Sequence, residues 1–203
     1  GVADVGSLQP AFQAASNLVV VGGVYIGLEV AAVARKRGMN VTVVEAGARL
    51  LGRVTADVIS DFYARLHRAE GVDVRLGMTV AAFEGDRQVR VARLSDGRRV
   101  PCDLAVIGVG IVVNDELAVS SGIEVEPGVG IPVDSAMRTS DPNIYAIGDC
   151  ALAWSEFSGR RQRIESVANA IEQGRIAAAH AAGVVPPTPA VPWFWPDQYD
   201  VKL

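Results

Sequence analysis

Leu18 to Gly27 reads LVVVGGVYIG, runs on into LEVAAVARKRG up to Gly38, and is followed by a second apolar run, Val41 to Val44, that stops on Glu45. A β-branched run, a glycine turn, a helical pattern and an acid closing the next strand are, in that order, the parts of a βαβ unit that holds a dinucleotide. The first glycine of such a turn permits its sharp bend, the second admits the pyrophosphate to the backbone, and the third lets helix and strand pack closely. Here the spacing G-x-G-x-x-G falls on Gly22, Gly23, Val24, Tyr25, Ile26 and Gly27, so a valine stands at the second glycine position. A β-branched side chain there obstructs backbone approach and disfavours positive φ, which predicts weakened dinucleotide binding.

The helix after the turn shows Ile26, Val30, Val33 and Ala34 at helical spacing, and Gly38 follows three basic residues suited to a helix C-terminus. Thr55 is placed to cap a second helix carrying Val58, Ile59, Phe62, Tyr63 and Leu66, and Val72, Val74 and Leu76 alternate as a third strand. Between Thr79 and Pro101, alternating segments punctuated by Gly85-Asp86 and Asp96-Gly97 read as an antiparallel meander leading into a buried strand, Leu104 to Gly108. The expected fold is α/β: a three-layer, Rossmann-like parallel sheet with an inserted antiparallel β-meander, plus part of a second α/β domain.

Residues 1–16 form a mixed, weakly helical lead-in broken at Pro10. The second half opens with turn-rich sequence from Asn114 to Gly130, then short strands near Ile131 to Val133 and Ile144 to Ile147. A helix from about Glu165 to Ala182 follows, with Ala168, Ile171, Ile176 and Ala179 facing inward. Val184 to Pro192 is a Pro-rich connector that suits a domain boundary, and Asp200 to Leu203 looks like the start of a strand. The organisation expected is a lead-in (1–16), a dinucleotide domain (17–113), a segment of a second domain (114–192) and the start of a third (193–203).

Half of the 203 residues are hydrophobic, enough for a sizeable core, and the net charge of −4 comes without a basic block, which argues against nucleic-acid binding. Apolar runs are too short to span a bilayer and no leader pattern opens the chain, so a cytoplasmic protein is expected. The arginines at 35–37 and 160–163 read as solvated surface. Cys102 and Cys150, the two cysteines, have neither redox nor zinc spacing and read as buried apolar residues, and no metal site is expected. His67 and His180 read as surface or satisfied histidines.

Glu45 is placed to accept hydrogen bonds from both ribose hydroxyls and to repel a 2′-phosphate, favouring NADH, with Arg49 and Arg53 close by. In Thr139 to Cys150, TSDPNIYAIGDC, a glycine and a carboxylate at a strand end fit either a polyol or ribose site or a type I turn with a capping aspartate.

YIGLE, AVIGVG, TSDPNIYAIGDC, RIESVANAIEQ and PWFWPDQYDVKL, in this order and spacing, resemble the two-dinucleotide flavoprotein reductases, and within them the NADH-dependent ferredoxin reductases of oxygenase and cytochrome P450 systems. PWFW-DQYD is the most discriminating of these motifs, and the missing cysteine pair agrees with it. The resemblance implies FAD and NAD as cofactors and a [2Fe-2S] ferredoxin as partner, with electrons passing from NADH through FAD. It implies that Gly22 to Gly27, Glu45 and Arg53 hold NADH, with Val109 and Gly110 near the nicotinamide half. No catalytic side chain is named; Glu29 is implied as a nicotinamide-orienting residue, or is an ordinary first-turn helix acid. Gly148 and Asp149 would bind FAD, Ser166 and Val167 would present backbone to the flavin ring, and Trp195 would pack beside it or fill a domain junction. Against the family pattern, the first FAD fingerprint and most of the C-terminal domain are missing, so a partial chain, inactive by itself, is expected. Val113, Ala168 and Pro196 depart from common motif residues without disabling consequence. Two other readings stand beside this one: another FAD-dependent NAD(P)H reductase or oxidase of the superfamily, and a non-catalytic NAD-binding module.

Overall fold

The computed structural model describes residues 2–188 and 190–202; Gly1 of the lead-in, Pro189 of the Pro-rich connector and Leu203 of the terminal strand lie outside them. The chain divides into two compact units, one holding residues up to Gly110 and again from Pro196, the other running from Ile111 to Trp195. This division differs from the expected boundaries at 113 and 192: the proline-rich connector stays with the second unit, and the segment after Trp195 returns to the first.

In the first unit, α1 (Val2–Ala14) precedes β1 (Asn17–Val21), α2 (Tyr25–Lys36), β2 (Asn40–Glu45), α3 (Asp57–Ala69) and β3 (Asp73–Leu76). The meander follows as β4 (Val80–Glu84), β5 (Val91–Leu94) and β6 (Arg99–Pro101), and β7 (Leu104–Ile107) closes the unit's main sheet. That sheet is parallel in the order β3-β2-β1-β7, and the meander is a separate antiparallel sheet in the order β4-β5-β6. Because side chains alternate along a strand, β1 serves both faces. Leu18 and Val20 join Leu28, Ala31 and Tyr63 in a core under the helices, while Val19 joins Val44, Ala92, Leu94 and Cys102 in a core under the meander. Helices, parallel sheet and meander are the three layers expected of the first half.

Several local expectations are corrected. α1 runs through Pro10 without a break; it is an exposed helix, so the Gly6 carbonyl that loses its partner faces water. The inner face of α2 is Gly27, Leu28, Ala31, Ala32 and Ala34, whereas Ile26 and Val33 are 65% and 49% exposed, because small residues let the helix lie close to the sheet. Ala56 rather than Thr55 is the N-cap of α3, since the Thr55 hydroxyl turns back to the Leu51 carbonyl. β7 is only half-buried, with Ile107 exposed at its end. Arg35 is not merely solvated: it bonds the Glu70 carbonyl at 2.9 Å, tying α2 to the end of α3.

In the second unit the turn-rich stretch holds a short helix, α4 (Glu116–Ser120), before β8 (Ile131–Pro132). Ile144 to Ile147 is not a strand; Tyr145 makes a single bridge to Arg138, and a 3-10 turn at Gly148–Cys150 follows at once. The chain then forms β9 (Ala151–Ser155) and β10 (Arg160–Gln162), an unexpected hairpin, and α5 (Val167–Ala181). β8, β9 and β10 make one small mixed sheet. On α5, Gln173, Ile176 and Ala177 are buried, while the expected inward residue Ile171 is 51% exposed and Ala168 and Ala179 are half-buried. Arg163 is largely covered, bonding the Asp149 carbonyl at 2.8 Å and Glu165 at 3.0 Å. Cys150 is half-buried and Cys102 fully buried.

Candidate functional site

The turn between β1 and α2 is governed by backbone packing. Gly22 has φ +103°, and a Cβ on it would collide with the carbonyl oxygen of Gly108 at the end of β7. A Cβ on Gly27 would collide with the Gly22 carbonyl oxygen. Glycine is therefore required at the first and third fingerprint positions by the close approach of β1, β7 and α2. Val24 is different. It is the N-cap of α2 with φ −104° and ψ −177°, ordinary extended backbone, so the expected conflict with positive φ does not exist. The turn's left-handed residue is Gly22, and the valine occupies an unstrained position with its side chain against the helix-side core.

Glu45 closes β2 and binds the turn directly. Its Oε2 accepts the Gly23 N–H and its Oε1 the Gly47 N–H, each at 2.6 Å. Both oxygens keep a further lone pair for an outside donor, and the two backbone bonds fix the carboxylate's orientation.

Gly22, Val24, Glu45, Arg53 and Val109 line one cleft of about 650 Å³ at the C-terminal ends of β1, β2 and β7. This lies within the ~300–1,000 Å³ of small-molecule sites, and open α/β sheets bind ligands at that edge. Arg49, also at the cleft, is committed to its own loop: it bonds the Ser60 hydroxyl at 2.8 Å, the Thr55 carbonyl at 2.9 Å and the Asp57 carboxylate at 3.2 Å. Arg53 is exposed and makes no hydrogen bond or ion pair among the described residues. A glycine turn, an oriented carboxylate and an uncommitted guanidinium suit a ligand with a diphosphate and a ribose. Gly23, Tyr25, Ile26 and Gly27 do not line the cleft, nor does Gly110, which is exposed at φ +130°.

Glu29 does not line the cleft. It sits in the second turn of α2, so the reading as a first-turn acid falls. Burial raises its pKa, opposed by a bond from the Asp197 backbone N–H and reinforced by the Asp197 charge. The returning C-terminal segment is thus its neighbour.

In the second unit, the Gly148 turn packs on the N-terminal half of α5. The Gly148 N–H donates to Gln173 Oε1 at 2.7 Å in a buried contact, and Gly148 itself has φ +75°. Ser166 caps α5 by accepting the Asn169 N–H at 3.2 Å. Gly148, Asp149, Ser166 and Val167 therefore share one region, with Asp149 and Val167 exposed on it. Gly148 and Ser166 are themselves buried. In Asp141 to Asn143 the Asp141 side chain accepts the Asn143 N–H at 2.8 Å, a capped turn. Trp195 stacks on Trp193 at 4.6 Å between ring centroids, and Trp193 borders a separate cavity of about 160 Å³ between β9 and α5. Among the described residues, no group of His, Cys, Asp and Glu is arranged to hold a metal ion, and no helix is long and apolar enough to cross a membrane.

The partners of the two histidines were not legible in the sequence. His67 is fully buried and bonded to Gln198 and Tyr199, far away in the chain, and His180 pairs with the Tyr145 hydroxyl at 2.8 Å. Only the DQYD run of the C-terminal motif hinted at the first.

Residues 2–174 match the sequence model of the pyridine nucleotide-disulphide oxidoreductases. The chain is 49% identical over 191 residues to the putidaredoxin reductase of Pseudomonas putida, covering 93% of this chain and 45% of that protein. It is 46% identical to the ferredoxin reductase subunit of a 5,5'-dehydrodivanillate O-demethylase from a Sphingobium species, covering 99% of this chain and 49% of that one. Among solved structures, a covalent putidaredoxin reductase–putidaredoxin complex superposes with a TM-score of 0.93 at 46% identity, over 100% of this chain and 49% of that chain. The chain spans about half the length of the curated relatives it matches.

Proposed function

We propose that this chain, which belongs to the pyridine nucleotide-disulphide oxidoreductase family, supplies the NADH-binding unit and one wall of the FAD site of a reductase that passes electrons to a [2Fe-2S] ferredoxin of an oxygenase or P450 system. The observation that carries the reading is the cleft at the glycine turn, where Gly22, Glu45 and Arg53 meet. The likeness to ferredoxin reductases supports the partner. We place the protein in the cytoplasm, the compartment that supplies NADH and keeps thiols such as Cys102 reduced.

In this reading the Glu45 carboxylate, held by the Gly23 and Gly47 amides, accepts the ribose hydroxyls and disfavours a 2′-phosphate. The N-terminus of α2 and Arg53 face the pyrophosphate, and Val24 limits how closely it approaches. Val109 and Gly110 extend the site toward the nicotinamide. On the second unit, Gly148, Asp149, Ser166 and Val167 form one wall of the flavin site. Bound flavin supplies the chemistry that converts a two-electron donor into single-electron transfers. The chain's own residues orient ligands; none is required as a general acid or nucleophile.

Titration with NADH and NADPH, followed by fluorescence, tests the cleft: NADH is expected to bind, more tightly than NADPH, and binding of neither overturns the dinucleotide reading. Flavin-loaded protein that transfers electrons from NADH to a [2Fe-2S] ferredoxin supports the reductase. A protein that binds NADH and retains no flavin supports a non-catalytic module.

A further inference from the structure

Three consecutive residues after Trp195 reach back to the helix layer of the first unit, and each makes a different contact. β11 (Asp197–Gln198) and β12 (Val201–Lys202) form a tight antiparallel hairpin, with Tyr199 at φ +59° in its turn. The Asp197 backbone N–H bonds to Glu29 on α2. Gln198 is fully buried, its Oε1 2.7 Å from His67 Nε2 on α3. The Tyr199 hydroxyl lies 3.2 Å from His67 Nδ1, and the Tyr199 carbonyl accepts Lys36 Nζ at 2.8 Å. Val201 packs against the helix-side core.

Both ring nitrogens of His67 are thus used by this one segment. A neutral ring protonated at Nε2 donates to Gln198 Oε1 and leaves Nδ1 to accept from the Tyr199 hydroxyl. Burial pushes the Tyr199 phenol up to about 12, which keeps it a donor. The same burial pulls His67 below the ordinary imidazole value, against the Gln198 hydrogen bond and the Glu70 charge.

Gln198 Nε2 is buried with no hydrogen-bond partner among the described residues, and such a group opposes docking. The charged groups facing the segment are Lys36 and Arg35 from α2, Glu29 further along α2, and Glu70 at the end of α3.

We infer that His67 is the latch of a pH-sensitive strap: its neutral ring holds Asp197 to Val201 on the α2–α3 face, and its protonation releases the segment and frees Glu29 from the Asp197 amide. The sign follows from linkage. A histidine whose pKa is lower when docked than when released binds more protons in the released state, so docking is fully supported above the ordinary value near 6.5 and weakens as pH falls below it toward the docked value. No bound dinucleotide or flavin takes part in the latch.

Amide hydrogen exchange of residues 197–201, corrected for the intrinsic rate, reads strap release between about pH 7.5 and pH 5. Protection of the strap is expected to fall on acidification, by up to about tenfold for each unit separating the docked and released pKa values. Amides of β1 and β2 should hold theirs. In His67→Gln, which cannot titrate, strap protection should be flat with pH. A flat profile in the wild-type chain, or the same fall in His67→Gln, overturns the latch. Should that substitution unfold the chain, the wild-type His67 ring proton shift decides alone: titration below about 6.5 in step with strap exchange supports the latch, and titration at that reference value overturns it.

Discussion

The two glycine turns of this chain, at Gly22–Gly27 and at Gly148, meet their helices by opposite means. In the first, backbone touches backbone: Cβ atoms at Gly22 and Gly27 would strike carbonyl oxygens of Gly108 and of Gly22. In the second, a side chain does the joining, since the Gly148 N–H is satisfied by Gln173 and a Cβ on Gly148 would meet Ala170 at 3.4 Å, an ordinary contact. The first turn bounds a cleft; the second is buried at Gly148 and exposed at Asp149. Backbone crowding demands glycine and shows as a residue pattern, whereas a side-chain bond across 25 positions leaves no such signature.

Four substitutions sharpen or break this contrast. Gly22→Ala combines a positive φ with a backbone collision and is expected to cost more than about 3 kcal/mol in urea unfolding; a loss near zero would remove the idea that backbone packing governs the first turn. Gln173→Leu keeps bulk but strands the buried Gly148 N–H, and about 2 kcal/mol should be lost by the same measurement. Val24→Gly opens the cleft without relieving strain, because Val24 has none. NADH affinity should rise by up to about tenfold, or ~1.4 kcal/mol, in a fluorescence titration, and unchanged affinity would sink the obstruction argument. Gly148→Ala adds a methyl with room for it but at positive φ, so only about 1 kcal/mol is expected. If Gly148→Ala matched Gly22→Ala, the two turns would not differ in kind.

Legibility in the sequence follows the same division. The βαβ unit, the meander and their layering were readable because parallel strands buried on both faces are continuous apolar runs, and hairpins announce themselves with Asp-Gly and Gly-Asp. Glu45 was readable as a cleft residue, but its bonds to Gly23 and Gly47 were not. On α2, Ile26 and Val33 share the apolar helical spacing with Ala34 yet stay exposed, because smaller residues are the ones that pack against the sheet. In the second unit, Ile144 to Ile147 has strand composition but only one bridge among the described residues, and the β9–β10 hairpin turns through Glu156 to Gly159, without the Asp-Gly or Gly-Asp that marks the meander.

By itself, the sequence determined the order of elements from β1 to β7, the glycines at positions 22 and 27 and the acid at 45, since each follows from local periodicity or from a residue type that alone fits. Tertiary structure alone decided that Val24 sits in relaxed extended backbone, that Arg49 is spent on its own loop while Arg53 is not, and that Asp197 to Val201 returns to bury His67. Those outcomes turn on contacts between residues distant in the chain, where packing and desolvation select among partners that local preference leaves equal.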